Sequence, residues 1–244
     1  MTNTPFNIVV CGVGGQGTVL SKTLLAECAL AGGAFVRSAE TIGMAQRGGI
    51  VLGHVRIVMP KEGSDKTGDG SDKTGDGSDK TGDGSLSYPS DQLDCLSPLV
   101  PLGTAQLLIG FEPVETLRAY RYCSPGALVV TATDPLMPPT AAVKKLKYNG
   151  KAQMAALEHE AAEGRIGRLE FVDNSSVMDK LGFDKALNVV LLGAALGILA
   201  DSGSPYASLL SFDAMQEVIK TTVKERFVDL NLKALELGYQ LQCT

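Results

Sequence analysis

The 244-residue sequence contains no tryptophan, only two histidines and few aromatic residues, which make up 5% of the chain. Proteins that stack single-stranded nucleic-acid bases depend on aromatic side chains, so the composition argues against such a platform. Lysine and arginine, 22 in total, are outnumbered by 27 aspartates and glutamates, which gives a formal net charge of −5. Because the basic footprint of a nucleic-acid-binding protein is missing, we expect no nucleic-acid partner.

Long apolar runs are also missing. The longest run, 186–200, is interrupted by Asn188 and by glycines, and it falls short of the about 20 apolar residues that span a bilayer. No basic segment followed by an apolar segment precedes the first strand-like run, so we expect no signal peptide. We therefore predict no membrane partner and a cytoplasmic location.

Cysteines are few and scattered. The five cysteines include no Cys-x-x-Cys pair; they are Cys11, Cys28, Cys95, Cys123 and Cys243. Their odd number suits free thiols in a reducing compartment. A local four-cysteine motif for an iron–sulfur cluster is excluded. We predict no metal site in this chain, so any iron–sulfur centre that works with it would belong to another protein.

Apolar runs alternate with segments of helical periodicity along the chain. Strand-like runs lie at 6–11, 34–38, 50–59, 105–111, 127–131 and 169–172, and the chain after residue 173 has mostly helical patterns. This alternation is typical of an α/β protein. We predict a single domain, 1–244, with a Rossmann-like open, mostly parallel sheet, helices on both faces and a helical C-terminal third.

A low-complexity segment interrupts this alternation. Residues 63–85 contain the heptapeptide GSDKTGD three times in succession. Such a composition cannot bury apolar surface, so we predict that 61–86 is a flexible insertion in a surface connection. Its GDG triplets match the first half of a thiamin-diphosphate motif, but the asparagine that completes the motif is missing, so we give them no role in binding.

The first glycine cluster, GVGGQG at 12–17, directly follows the first strand-like run and opens a helical segment. In the G-x-G-x-x-G arrangement, glycines let the backbone approach a ligand, and the helix N-terminus offers unpaired N–H groups to an anion. Glu40 has the spacing of the acid that binds a ribose. A nucleotide-binding dehydrogenase or a regulatory Rossmann domain is therefore one hypothesis. A pure assembly module, whose glycines serve only tight packing, is another.

The two histidines provide no acid–base set. His54 lies within a strand-like run, and His159 lies in a polar helical segment. We expect His54 to be a buried structural histidine and His159 to lie on a solvated surface. We predict no catalytic residue in this chain.

A second glycine cluster, GMAQRGG at 43–49, precedes the third strand-like run. Arg47 lies between Gln46 and Gly48, so its guanidinium would project beside a backbone that another group can approach closely. It can clamp a phosphate or carboxylate, or form a salt bridge across a subunit interface. The candidate binding residues are Gly12, Gly14, Gly15, Gln16, Gly17, Gln46, Arg47, Gly48 and Gly49.

The motifs GVGGQG, SAETIGMAQRGG and VLGHVRI, at these spacings, resemble the gamma-type subunit or domain of 2-oxoacid:ferredoxin oxidoreductases. The resemblance continues through 94–133, through the NVVLLGA segment that begins at Asn188, and through VKERFVDLNLKALELGY near the C-terminus. It covers the chain except the heptapeptide array. Within the family, the layout and the proline-rich stretch after residue 133 most resemble the smaller (beta) subunit of the indolepyruvate enzyme.

The resemblance implies a non-catalytic subunit, inactive alone, of an enzyme that oxidatively decarboxylates a 2-oxoacid such as indolepyruvate or another aryl pyruvate. The product would be the acyl-CoA, with CoA as co-substrate and ferredoxin as electron acceptor. A larger catalytic subunit would carry thiamin diphosphate, Mg²⁺ and iron–sulfur clusters. The two glycine clusters would face that partner near its active-site entrance and help to position CoA or the substrate.

Overall fold

The fold was analysed in a computed structural model, which describes residues 4–43, 49–59, 97–136, 150–182 and 186–241. The predicted insertion at 61–86 lies outside the described residues. So does most of the proline-rich stretch that follows Asp134.

Six strands form one sheet in the described part of the chain. They are β1 (Phe6–Val13), β2 (Phe35–Ile42), β3 (Ile50–Val58), β4 (Ala105–Gly110), β5 (Cys123–Ala132) and β6 (Ile166–Val172). The α-helices are α1 (Thr18–Ala31), α2 (Pro113–Ala119), α3 (Gly150–Ala162), α4 (Asn174–Leu181), α5 (Leu187–Asp201), α6 (Phe212–Thr222) and α7 (Val228–Gln240). The predicted α/β class and the helical C-terminal third are confirmed.

The strand order is β2-β3-β1-β4-β5-β6. Strands β1, β4, β5 and β6 are mutually parallel, whereas β3 is antiparallel to both of its neighbours, β1 and β2. The chain therefore runs along β3 in the direction opposite to β2, and β3 lies between β1 and β2. The physical reason is the short 43–49 connection, because a parallel return needs a crossover of a dozen or more residues.

Two apolar cores cover the two faces of the sheet. On β1, Ile8 and Val10 belong to one core, which α1, α5, α6 and α7 complete. The alternate residues Val9 and Cys11 belong to the other core, which is completed by α2 and α3 through Ala119 and Leu157. A strand that is buried on both faces is apolar at nearly every position, and in β1 the one polar side chain is that of Asn7. This burial explains why β1 has no alternating pattern, and it confirms the prediction of helices on both faces.

Some element boundaries differ from the sequence prediction. Strand β2 continues to Ile42, four residues beyond the predicted end at Ser38. Helix α6 ends at Thr222, where Val223 takes an extended conformation, so the mostly helical pattern after residue 173 is interrupted here. Among the described residues, no helix combines the length and apolar character needed to cross a membrane.

Helix α7 is held to the domain by its crossing with α5. Residues 188–199 of α5 are all buried, so this helix has no polar face. Two glycines let the helix backbones touch. An added Cβ at Gly193 would lie 2.2 Å from the Leu235 carbonyl oxygen, and one at Gly238 would lie 1.9 Å from the Val190 carbonyl oxygen. Any side chain at either position would push the two helices apart.

We therefore expect Gly193→Ala to destabilise the fold by about 1–3 kcal/mol, the usual cost of overpacking a core. Urea denaturation measures the change in the free energy of unfolding. The control is Ala200→Ser, at an exposed position on the same helix. Alanine is intrinsically the better helix former by about 1 kcal/mol, so a gain in stability for Gly193→Ala would show that the helices do not pack this closely.

Candidate functional site

The two glycine clusters meet at one edge of the sheet. Val13, the last residue of β1, pairs with Ile50, the first residue of β3. Directly beyond this pair, the Gly14 backbone N–H donates to the Gly49 carbonyl oxygen at 2.8 Å. The antiparallel course of β3 therefore brings the ends of both clusters side by side. The remaining candidates of the second cluster, Gln46, Arg47 and Gly48, lie outside the described residues.

The side chain of Gln16 fixes the glycine loop. Its Oε1 atom accepts from the Val13 backbone N–H at 2.7 Å, and its Nε2 atom donates to the Phe111 carbonyl oxygen at 3.0 Å. Phe111 directly follows β4, so one amide joins the ends of β1 and β4. Both ends of this amide are used within the protein. Gln16 is therefore a residue that shapes the loop, and sequence spacing alone did not reveal this role.

Two glycines of the loop take conformations that other residues rarely adopt. The φ angles of Gly15 and Gly17 are +105° and +88°. Gly17 is also closely packed, because an added Cβ would lie 2.5 Å from Asn188 Nδ2. Gly17 must therefore be glycine for its φ angle and for the space that Asn188 occupies.

An open cleft of about 550 Å³ lies over this loop. Its lining includes Gly15, Gln16 and Gly17 of the loop, together with Asp134 and Asn188. The volume falls within the about 300–1,000 Å³ of most small-molecule sites. The cleft lies beyond the carboxyl ends of β1 and β4, which is where open α/β sheets bind ligands.

The N-terminus of α1 opens beside the cleft. Gly17 caps this 14-residue helix without a side-chain hydrogen bond, and the first turn contains no acidic residue. The unpaired N–H groups and the positive end of the helix dipole therefore favour a negatively charged or hydrogen-bond-accepting group.

Asn188 is a site residue that the sequence analysis did not select. Only 4% of it is exposed, and within the described residues its Oδ1 atom has no hydrogen-bond partner. Thr18 Oγ1, in the first turn of α1, is also buried without a partner. A buried polar atom without a partner costs about 1–3 kcal/mol, which suggests a ligand-binding role. The sequence signal was one polar residue inside the apolar run 186–200.

Glu40 is not placed to bind a ribose next to the glycine loop. It lies within β2, where Lys22 Nζ approaches its Oε2 atom at 3.2 Å. Strand β3 separates β2 from β1, whereas the dinucleotide-binding arrangement has the acid-bearing strand beside the glycine loop. This geometry argues against a dehydrogenase of the usual Rossmann type.

The described thiols are not activated nucleophiles. Cys11 is fully buried, and burial raises its pKa well above the ordinary value. Burial also raises the pKa of Cys28 and that of Cys123 to about 12. Since the thiolate is the reactive form, these side chains are protonated and unreactive at neutral pH.

The two histidines have the surroundings expected from the sequence. His54 is 2% exposed; its Nδ1 atom accepts from the Val100 backbone N–H at 3.4 Å, and its ring meets the Tyr122 ring edge-on at 5.4 Å. Burial lowers the pKa of His54 below its ordinary value. His159 is exposed on α3. The prediction of a structural His54 is confirmed.

These features describe an α/β domain with a glycine-floored cleft and no activated nucleophile among its described thiols. The family model for pyruvate ferredoxin/flavodoxin oxidoreductases matches residues 7–69 and 94–241, so the chain belongs to this family. The match omits 70–93, which includes most of the heptapeptide array.

Relatives with similar sequences carry names that are more specific than the family description. The chain is 33% identical over 235 residues to the indolepyruvate oxidoreductase subunit IorB of Archaeoglobus fulgidus, with 96% of this chain and 93% of the relative covered. It is 32% identical to the subunit of the same name from Pyrococcus horikoshii, with 96% and 94% covered.

Solved structures show that the fold is shared at low identity. The gamma subunit of a keto/oxoacid ferredoxin oxidoreductase from Geobacter sulfurreducens superposes with a TM-score of 0.55 at 18% identity, with 98% of each chain covered. The 2-oxoglutarate:ferredoxin oxidoreductase from Magnetococcus marinus superposes with a TM-score of 0.57 at 17% identity. That match covers 98% of this chain but 31% of the larger one.

We expect Gln16→Ala to remove the link between β1 and β4 and to lower the free energy of unfolding by about 1–3 kcal/mol, since two hydrogen bonds are lost. Gln16→Glu keeps an acceptor for Val13 but sets a carboxylate against the Phe111 carbonyl. Amide hydrogen exchange at Val13 should therefore quicken in Gln16→Ala and stay slow in Gln16→Glu. The control is the exposed Gln240→Ala. Unchanged exchange at Val13 in Gln16→Ala would contradict the assigned contact.

The lowered pKa of His54 makes stability depend on pH. In the unfolded chain His54 takes up a proton below its ordinary value of 6.5, whereas the folded protein keeps it neutral. The contribution of neutral His54 to the free energy of unfolding is therefore present above pH 6.5. It is lost as the pH falls, by at most about 1.4 kcal/mol per pH unit. The unfolding free energies of wild type and His54→Gln, measured against pH, should converge in acid. If the two curves of unfolding free energy against pH were parallel, His54 would have the same pKa in the folded and the unfolded protein.

Proposed function

We propose that this chain is the non-catalytic subunit of a thiamin-diphosphate-dependent 2-oxoacid:ferredoxin oxidoreductase. The observation that carries the proposal is the 33% identity to an indolepyruvate oxidoreductase subunit across 96% of this chain. The substrate would be indolepyruvate or another aryl pyruvate. The complex would convert it to the acyl-CoA and pass the electrons to ferredoxin, in the cytoplasm.

In this proposal a larger catalytic subunit carries thiamin diphosphate, Mg²⁺ and the iron–sulfur clusters, and this chain alone is inactive. The thiamin group supplies the carbanion chemistry when bound to that partner. The protonated, unreactive state of Cys11, Cys28 and Cys123 is consistent with a chain that does no covalent chemistry. The whole chain, 1–244, would be one domain with 61–86 as an insertion, which the omission of 70–93 from the family match supports.

The cleft over the glycine loop would face the larger subunit near its active-site entrance. The N-terminus of α1 supports CoA or the 2-oxoacid as the ligand, because its N–H groups can bind a phosphate or carboxylate. We propose that this surface is completed by the three residues that precede Gly49 in the chain, Gln46, Arg47 and Gly48.

Reconstitution tests the proposal. The isolated chain and the isolated larger subunit should each fail to oxidise indolepyruvate, and the mixture should reduce ferredoxin in a reaction that requires CoA. Initial rates with indolepyruvate, phenylpyruvate, pyruvate and 2-oxoglutarate would then rank the substrates, with the aryl compounds expected to be fastest. A full rate from the larger subunit alone would contradict the subunit role.

The alternative of a stand-alone Rossmann dehydrogenase or regulatory domain makes a different prediction. It requires saturable binding of NAD(P) or FAD to this chain alone, which Gly14→Val should abolish. The position of Glu40 leads us to expect no binding heat in calorimetry with these nucleotides. Saturable binding that is lost in Gly14→Val would favour the alternative.

A further inference from the structure

A second, smaller pocket lies beside the same sheet edge but on the opposite face. Its volume is about 220 Å³, and its lining includes Ile50, Leu52, Arg118, Arg121 and Tyr122. Ile50 directly follows Gly49, so the pocket adjoins the edge where the glycine clusters meet. The cleft lies on the α1 and α5 face, whereas this pocket lies against α2. We call it the arginine pocket.

Arg118 is held in a fixed direction by a buried carboxylate. The Glu115 side chain is 1% exposed and forms an ion pair with Arg118, whose own side chain is 57% exposed. Burial raises the pKa of Glu115 above its ordinary value, and the nearby Arg118 offsets only part of this rise. A guanidinium anchored on one side keeps its other N–H groups available and loses little conformational entropy when it binds.

Arg121 lies one helical turn after Arg118 and lines the same pocket. Its guanidinium carbon is 5.4 Å from the centroid of the Tyr122 ring, in a cation–π contact. Within the described part of the chain, Arg121 has no carboxylate at ion-pair distance, whereas Arg118 has only Glu115. Two guanidinium groups and the Glu115 carboxylate therefore line a pocket that is otherwise apolar, and the guanidinium groups outnumber the carboxylate.

The size and composition of the pocket indicate its occupant. About 220 Å³ is below the usual range of small-molecule sites, which begins near about 300 Å³, but it is enough for one acidic side chain. Arginine and tyrosine are the residues that most often dominate protein–protein interfaces. A guanidinium group can bind a carboxylate through two parallel N–H···O hydrogen bonds. The 39% exposure of Ile50 adds an apolar contact at the rim.

We infer that the arginine pocket receives an aspartate or glutamate side chain of the larger catalytic subunit. This inference rests on the proposed function, because it needs that subunit as partner. The carboxylate would be held between Arg118 and Arg121, and Ile50 would be covered by the apolar surface around it. The pocket would thereby fix the sheet edge, and with it the cleft, against the partner.

The test measures association of the full chain with the purified larger subunit by calorimetry at low and at moderate ionic strength. Removing one member of a buried charge pair at an interface slows association little but speeds dissociation. We expect Arg118→Gln and Arg121→Gln each to weaken binding by about tenfold or more. Arg118→Lys, which keeps the charge but loses the planar fork, should fall between Arg118→Gln and wild type.

The matched control is Arg226→Gln. Arg226 lies over the Phe227 ring at 4.7 Å, in the turn before α7, and removing it changes the net charge equally. It should bind as wild type does. Thermal melting of each variant checks the fold, and Arg118→Lys and Arg121→Gln decide the question should Arg118→Gln fail to fold.

Wild-type affinity in both Arg118→Gln and Arg121→Gln would overturn the inference and leave the subunit role intact. An equal loss in Arg226→Gln would also overturn it, because net charge would then explain the effect. Failure of the wild-type chain to bind the larger subunit would instead overturn the proposed function, and the docking inference with it.

Discussion

One backbone hydrogen bond organises the candidate site. It joins the Gly14 N–H to the Gly49 carbonyl oxygen at 2.8 Å. It extends the antiparallel β1–β3 ladder by one step beyond the Val13–Ile50 pair. As a result, two glycine clusters that are about 30 residues apart in sequence share one edge of the sheet. The cleft on one face and the arginine pocket on the other both border this edge, so both depend on the register of β3.

The stability of this edge comes from a polar side chain as well as from the apolar core. Gln16 ties the ends of β1 and β4 together through both ends of its amide. The glycines around it have backbone conformations that would be strained with a side chain, and Gly17 leaves space for Asn188. A loop that is fixed in this way presents the N-terminus of α1 in one orientation. Preorganisation of this kind is what a docking or ligand-positioning surface requires.

The comparisons separate what is shared by the fold from what is shared by closer relatives. The superposed structures are below 20% identical, yet they cover nearly all of this chain. Two relatives at 33% and 32% identity both carry the name of an indolepyruvate oxidoreductase subunit. The fold is therefore shared at much lower sequence identity than that of these named relatives.

Local sequence determined the elements and the position of the first glycine loop. The mostly apolar β1, the GVGGQG turn and the helical C-terminal third can be read directly, because each follows from residue spacing and backbone freedom. The strand order could not be read from the sequence. It depends on one reversed strand, β3, whose pairing joins residues far apart in the chain. That reversal moves Glu40 away from the glycine loop.

Only the tertiary structure decided the roles of several side chains. Gln16 looked like a ligand donor, but its amide meets Phe111, 95 residues away. Asn188 looked like an interruption in an apolar helix until α5 packed beside α1 and set it against Gly17. Arg118 and Arg121 had no sequence signal at all. Periodicity reports which face of an element is buried, whereas a contact between distant side chains exists only after the chain has folded.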